Sequence, residues 1–233
     1  MLDTFKAAAA AAAALTLTAA PASAELELSL YLGVQSAHSD SDSVRLPGTA
    51  TPVSRDIDWR VKPFDNPLYY GGRATWWTQS DFGFGIEGTH AKAIASASDR
   101  AALGVDKLEF TDGHNIITAN VMKRFPGAFA KTPRFTPYVG AGVGVAIPHV
   151  DIKVTGATGR TFDFEATGPA VRGIAGLKYA INEKWAIFGE YQITWSDNDA
   201  TIDPDLSVPG QSAGKLETEL VTHAVNVGIS YSF

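Results

Sequence analysis

From Val225 to Phe233 the chain alternates without a break. Val225, Val227, Ile229, Tyr231 and Phe233 hold the odd positions; Asn226, Gly228, Ser230 and Ser232 hold the even ones. A period of two places successive side chains on opposite faces of a strand, so one face is apolar and the other small and polar. A soluble sheet would bury the apolar face in a core. A barrel that crosses a bilayer would turn it to lipid and keep the small polar face for its lumen. The rest of the chain decides between the two.

The same alternation recurs upstream. It runs over Glu25–Gln35, Leu68–Trp77, Phe82–Lys92, His114–Phe125, Phe135–Ile147, Gly168–Ile181 and Trp185–Trp195, which with the last stretch predicts eight strands. The connections alternate long and short. His38–Asn66, the segment from Lys92 to Gly113, Pro148–Thr167 and Ser196–Glu217 are long, polar and read as loops; Thr78–Asp81, Pro126–Arg134 and Asn182–Lys184 are short. Up-and-down antiparallel order puts all long connections at one end and all short ones at the other, the asymmetry of an outer-membrane barrel. Each strand has about the 10 residues that a tilted spanning strand needs. Trp76, Trp77, Phe82, Trp185, Trp195, Tyr231 and Phe233 gather near strand ends, where interfacial girdles form. A soluble barrel of the lipocalin type would place its large apolar side chains inside. Here the opposite faces carry Gly, Ser, Thr, Asn and charges, too polar for a dry core and too small to fill one. The predicted fold is an all-β, eight-stranded antiparallel up-and-down transmembrane β-barrel with four long extracellular loops and three short periplasmic turns.

Residues 1–24 read as a signal peptide: Lys6, an alanine-rich apolar run, then the small-residue site Ala22-Ser23-Ala24. Residues 25–233 are then the barrel domain, and Phe233 the signal by which barrel assembly machinery would recognise it. No cysteine is present, which excludes thiol catalysis, disulfides and a cysteine-linked lipid anchor. A net charge of −6 gives no basic footprint for nucleic acid.

By parity Arg73, Glu87, Arg172 and Glu190 point into the lumen near mid-strand. Charges at membrane depth are costly unless they face inward and pair. Two guanidiniums and two carboxylates can neutralise one another as a structural plug, which is the favoured reading over a catalytic carboxylate pair. An open pore is disfavoured on the same grounds.

Several strings resemble the lipid A oxidase family of alphaproteobacterial outer-membrane barrels: Arg73-Ala74-Thr75-Trp76-Trp77, Leu108–Gly113, and above all Pro137–Asp151 with its glycine alternation running into Ala-Ile-Pro-His-Val-Asp. His90-Ala91-Lys92, Gly189-Glu190-Tyr191 and Asn198-Asp199-Ala200 add to it. The resemblance covers most of residues 25–233 and is weakest in the first and fourth long connections. It implies an enzyme in the outer membrane that uses molecular oxygen to oxidise the proximal glucosamine of 1-dephosphorylated lipid A to 2-aminogluconate, releasing hydrogen peroxide. It transfers no catalytic residue. The alternatives are a non-enzymatic OmpA-like surface or structural barrel and, less favoured, a lipid A hydrolase, for which no Ser–His arrangement stands out.

The chemistry must come from the residues. Oxygen is a poor direct two-electron acceptor, so a metal or an organic cofactor is expected; no glycine-rich βαβ nucleotide site exists in an all-strand chain, which leaves a metal, a cofactor that the sequence does not specify, or a base-assisted direct reaction. Imidazole and carboxylate would suit a divalent transition metal, non-haem iron or copper. His38, His90, His149 and His223 lie near the loop ends of their strands on the lipid-facing parity, with Asp151 two residues beyond His149. Lipid A sugars lie against the outer wall at this height, so His90, His149 and Asp151 are the candidate catalytic and metal-ligating cluster, provided that Pro148 does not break the parity. Lys92 and Lys153 are the candidate substrate-binding cations; Arg55, Arg60, Lys62, Lys107 and Arg160 are weaker ones.

Overall fold

The computed structural model describes residues 25–62 and 68–233. The predicted signal peptide and the short stretch 63–67 lie outside the described residues. Fifteen strands follow in chain order: β1 Glu25–His38, β2 Asp42–Arg45, β3 Val53–Arg55, β4 Trp59–Arg60, β5 Tyr70–Trp77, β6 Phe82–His90, β7 Ala93–Ala95, then after the helix α1 Ala97–Leu103, β8 Val105–Phe110, β9 Ile116–Arg124, β10 Phe135–Ala146, β11 His149–Val154, β12 Thr161–Phe164, β13 Gly168–Ala180, β14 Trp185–Ile202 and β15 Gly214–Ser232. Eight of them close a barrel in the order β1-β5-β6-β9-β10-β13-β14-β15 and back to β1, every neighbour antiparallel. The last strand seals it against the first, from Glu27 opposite Ser232 to His38 opposite Val221. Closure leaves the membrane wall no free edge, which a chain in hydrocarbon requires.

One strand shows how the wall is built. Along β14, Trp185, Ile187, Tyr191, Ile193 and Trp195 turn outward while Ala186, Phe188, Glu190, Gln192 and Thr194 are buried inside. The ten-residue step from Trp185 to Trp195 spans about 33 Å along the strand at roughly 3.3 Å per residue. A tilt of about 40° brings that to about 25 Å, the height of an outer-membrane apolar band.

Inside this band the four lumen charges meet. Arg73 donates to Glu190 at 2.9 Å and lies 3.5 Å from Glu87, which also lies 3.5 Å from Arg172. Neutral donors complete both carboxylates: Asn120 at 2.7 Å, Gln192 at 2.7 Å and the Tyr31 hydroxyl on Glu87, with Tyr138 and Gln192 each at 2.8 Å on Glu190. Arg172 is held by Thr194 at 3.0 Å and Thr89 at 2.8 Å. Two positive and two negative groups thus cancel and fill the lumen at one level.

Above Trp195 the polarity inverts on an unchanged parity. In β14 the outward residues become Asp197 and Asp199 and the buried ones become Ala200 and Ile202; in β15, Lys215, Glu217 and Glu219 point out while Leu216 and Leu220 are buried. The barrel therefore continues past the membrane as a water-facing structure with an apolar interior. The expected loops Ser196–Glu217, His38–Asn66, Lys92–Gly113 and Pro148–Thr167 need correction accordingly. β14 and β15 pair as far as Ile202 opposite Gly214, with β2 and β3 added at the edge. The other three connections supply a second sheet, β12-β11-β8-β7-β4. The two sheets enclose Trp59, Leu108, Phe110, Val150, Ile152, Ile202, Leu216 and Leu220. Burying each such side chain contributes about 1.5–3 kcal/mol, which is why these segments fold instead of staying loops. Helix α1 starts at Ser96, whose hydroxyl accepts from Asp99 N at 3.2 Å, and ends at Gly104 with φ 71°. Asp99 in turn binds Arg55 at 2.6 Å and the Asp58 amide at 2.9 Å, tying the first connection to the second.

Candidate functional site

Where the membrane wall meets this cap, two separate segments converge on the turn Asp112–Asn115. The Gly113 carbonyl accepts from His149 N at 2.9 Å, the Asn115 carbonyl from Ile147 N at 2.7 Å, and the His149 carbonyl from Thr111 N at 3.1 Å. On the other side the Ala91 carbonyl accepts from His114 N. Gly113 has φ 106°, and a Cβ there would run into the His90 ring, so both backbone shape and space call for glycine.

His90 ends β6. It falls on the lipid-facing parity, yet it is only 9% exposed because the turn folds over it. Its Nδ1 lies 2.9 Å from Asn115 Oδ1. The Asn115 amide nitrogen faces the carbonyls of Gly113 at 3.2 Å, Ile147 at 3.3 Å and Asp112 at 3.4 Å. Only a donor can face three carbonyls, so Oδ1 is the acceptor and Nδ1 of His90 carries the hydrogen. That leaves Nε2 with a lone pair, buried and without a hydrogen-bond partner. The ring stacks on Tyr70 at 5.0 Å, and Tyr70 is exposed on the outer wall.

His149 opens β11 and is 4% exposed. Pro148 and the start of a new strand take it off the membrane wall and onto the outer face of the cap sheet. Both histidines lie at the loop ends of their strands, and both are covered. His149 Nδ1 is 3.2 Å from the Asp112 carboxylate, and its ring is flanked by Phe162 at 4.3 Å and Phe164 at 4.5 Å. Asp151 shares that face, 1% exposed, with Lys107 at 2.9 Å and Arg160 at 3.5 Å. Its hydrogen bond to Lys107 is the main reason that ammonium is held above its ordinary value. Among the described residues no three His, Cys, Asp or Glu are placed to hold a metal ion. Asp151, committed to two cations, does not fit the ligand role beside His90 and His149.

Of the two candidate substrate-binding lysines, Lys153 turns its ammonium to the carbonyls of Ala157 and Gly159, the latter at 3.0 Å. The Lys92 backbone carbonyl accepts from Gln35 at 3.2 Å. Of the weaker cations, Arg60 pairs with Asp58 at 3.1 Å. His38 and His223 stack on each other at 5.6 Å on the outer wall, away from this site, with the Tyr191 hydroxyl 2.5 Å from His223 Nδ1. His114 is buried beneath the cap, 3.1 Å from Asn198 and 3.2 Å from Ser196, and burial pushes it down to about 4. Asn115, Asp112 and Tyr70 were not foreseen. Asp112-Gly113 reads as a turn in the sequence, but nothing local says which histidine the turn will cover.

The closed eight-stranded wall, its apolar band and its short and long ends have a counterpart among known families. The family model described as outer membrane protein beta-barrel domain matches residues 7–233. The chain belongs to this family. As an outer-membrane β-barrel it is placed in the outer membrane, and its apolar band faces that membrane's lipid. Among solved structures, the outer membrane protein OprG from Pseudomonas aeruginosa superposes with a TM-score of 0.56 at 13% identity, over 90% of this chain and 96% of that one. Neisserial surface protein A gives 0.48 at 11% identity, over 90% and 97%. At such identities OprG supports the barrel fold and nothing finer. No curated protein sequence matches the chain.

Proposed function

We propose that this outer-membrane barrel is a lipid A oxidase, acting on the proximal glucosamine of 1-dephosphorylated lipid A with O2 and releasing H2O2. The observation that carries the reading is the lone pair of His90 Nε2, fixed by Asn115 and desolvated beside an exposed aromatic ring. The resemblance strings support it, because His90-Ala91, Leu108–Gly113 and the Pro148-His149 end of the longest string come together at this one place. The substrate's anomeric hydroxyl gives its proton to Nε2, and carbon one loses its hydrogen with two electrons to O2. The hydroperoxide so formed takes that proton back from Nε2, leaving a lactone and H2O2, and water opens the lactone to the acid. The donors around His90 do not fit a metal centre, so no step is routed through one. His149, beside Asp112, is assigned to orient the sugar. Asp151 is assigned to holding Lys107 and Arg160 in place, and Lys92 and Lys153 to the cationic rim that meets the anionic substrate. The exposed ring of Phe233 supports its reading by barrel assembly machinery.

A second reading is a non-enzymatic surface barrel. It is favoured by the same ion pairs, which make the cap self-satisfied. Mass spectrometry of 1-dephosphorylated lipid A after incubation with refolded protein, in air and without oxygen, separates the two. A gain of one oxygen atom in air alone, with peroxide, is expected. His90→Gln should lower that rate by about 10²–10⁴-fold, the usual worth of a positioned base. No product from a protein with normal heat-modifiable gel mobility would leave the surface barrel as the better account.

A further inference from the structure

The lipid-facing wall is not uniform. An open apolar groove of about 970 Å³ crosses it obliquely. Its two banks are rows of outward side chains that sit opposite one another across successive strands. The upper row is Tyr70, Leu32, Val227, Gly189 and Leu177. The lower row is Leu30, Ile229, Ile187, Tyr179 and Phe135. Gly189 interrupts the upper row, and without its side chain the bank is missing there. The rows cross β5, β1, β15, β14, β13 and β10, five spacings of about 4.8 Å or about 24 Å in all. Rows perpendicular to tilted strands descend the wall. The high end is Tyr70, where β5 leaves the cap, and the low end is Phe135, which follows a short turn.

The high end is the informative one, because Tyr70 both lines the groove and stacks on His90 at 5.0 Å. We infer that the groove seats one acyl chain of a lipid A molecule in the outer leaflet and so delivers its sugar to Tyr70 and His90. The inference rests on the reading of His90 above for what happens to the sugar, but not for the seat itself. The wall is surrounded by lipid, so acyl chain is the available occupant. What makes this a seat is the trough's fixed course and its ending at a buried base. Tyr70 presents its ring at headgroup height, where a sugar face can stack.

Gly189 gives a clean test. A Cβ there meets nothing nearer than the Asn226 carbonyl at 3.9 Å, so a larger side chain fills the groove without disturbing the wall. The comparison is Gly189→Leu against Ala119→Leu, which places the same side chain on the outward face of β9, away from the groove. Leu177→Trp serves as a second filling variant should Gly189→Leu fail to show heat-modifiable mobility. Each protein is placed in nanodiscs of phosphatidylethanolamine with 1-dephosphorylated lipid A, released into mild detergent, and its retained lipid weighed by native mass spectrometry. Wild type and Ala119→Leu should retain one lipid A, and the filling variants should retain at least about tenfold less. Equal retention by all variants, no retention by wild type, or equal carriage of phosphatidylethanolamine would overturn the proposal. Retention that follows the groove in proteins that never oxidise the lipid would sink the oxidase and leave the seat standing.

Discussion

At the scale of the residue, the site depends on a neutral side chain that has no chemistry of its own. Asn115 sets the tautomer of His90, and so sets which nitrogen can accept a proton. Asn115→Ala should leave the barrel folded but free the ring to exchange tautomers, which the ¹⁵N shifts of His90 report without any substrate. His114 makes a different prediction. Its folded value of about 4 lies below the usual 6.5, so its contribution is complete above pH 6.5 and is lost as the pH falls toward 4. The full loss is about 3 kcal/mol. Amide exchange in β8 and β14, corrected for intrinsic rate, should therefore quicken between pH 6.5 and 4, and His114→Gln should flatten that dependence. Neither residue could be singled out from sequence. The parity argument placed His90 on the correct face of β6. It could not show that a turn 22 residues later would cover it, because covering is a long-range event with no local signature.

At the scale of the element, the membrane wall was legible and the cap was not, for one physical reason. In the wall the two faces differ sharply, as in Val225–Phe233, and a period of two stands out. In the cap the strands are short: β7, β8, β11 and β12 run to six residues or fewer. Their alternation is broken by prolines and charges such as Pro148, Asp106 and Asp163. The end of β14 keeps a perfect alternation, but with the polar face outside, so it reads as the end of a membrane strand when it is the beginning of a soluble one. The turn at Gly113 joins the two zones, and Gly113→Ala should cost about 1–3 kcal/mol through its positive φ, plus whatever displacing the His90 ring adds. Faster proteolysis within residues 105–116, with heat-modifiable mobility retained, would be the measured result. Leu216→Asp should open the cap in the same assay and leave the membrane wall protected, since Leu216 packs only above the inversion.

At the scale of the whole molecule, the described residues give the lumen a neutral cluster at one level and an apolar core at the next, an arrangement that opposes a continuous water path. Planar bilayers with the purified protein should show no steady conductance. Glu87→Ala strands Arg172 and leaves Arg73 with Glu190 alone, and breaking a buried ion network in this way typically costs about 3–5 kcal/mol. Its denaturant midpoint should fall without any change in the strands formed, as circular dichroism would record. The four charges of this cluster could be named from parity alone, because a charge at that depth has only one direction to point. Its neutral members, Tyr31, Asn120, Tyr138 and Gln192, could not be ranked among the many polar residues that share their face.

β14 and β15 pass from hydrocarbon into water as unbroken strands, with no hinge between the band that grips the bilayer and the walls that rise above it. The height of everything on the cap is therefore set by the thickness of the membrane, as a float carries its mast at a fixed distance above the waterline. Thinning the bilayer by a few Å would lift Tyr70 and His90 clear of the headgroups, and thickening it would sink them among the chains. An outer membrane that changed its acyl composition would be retuning this protein without touching it.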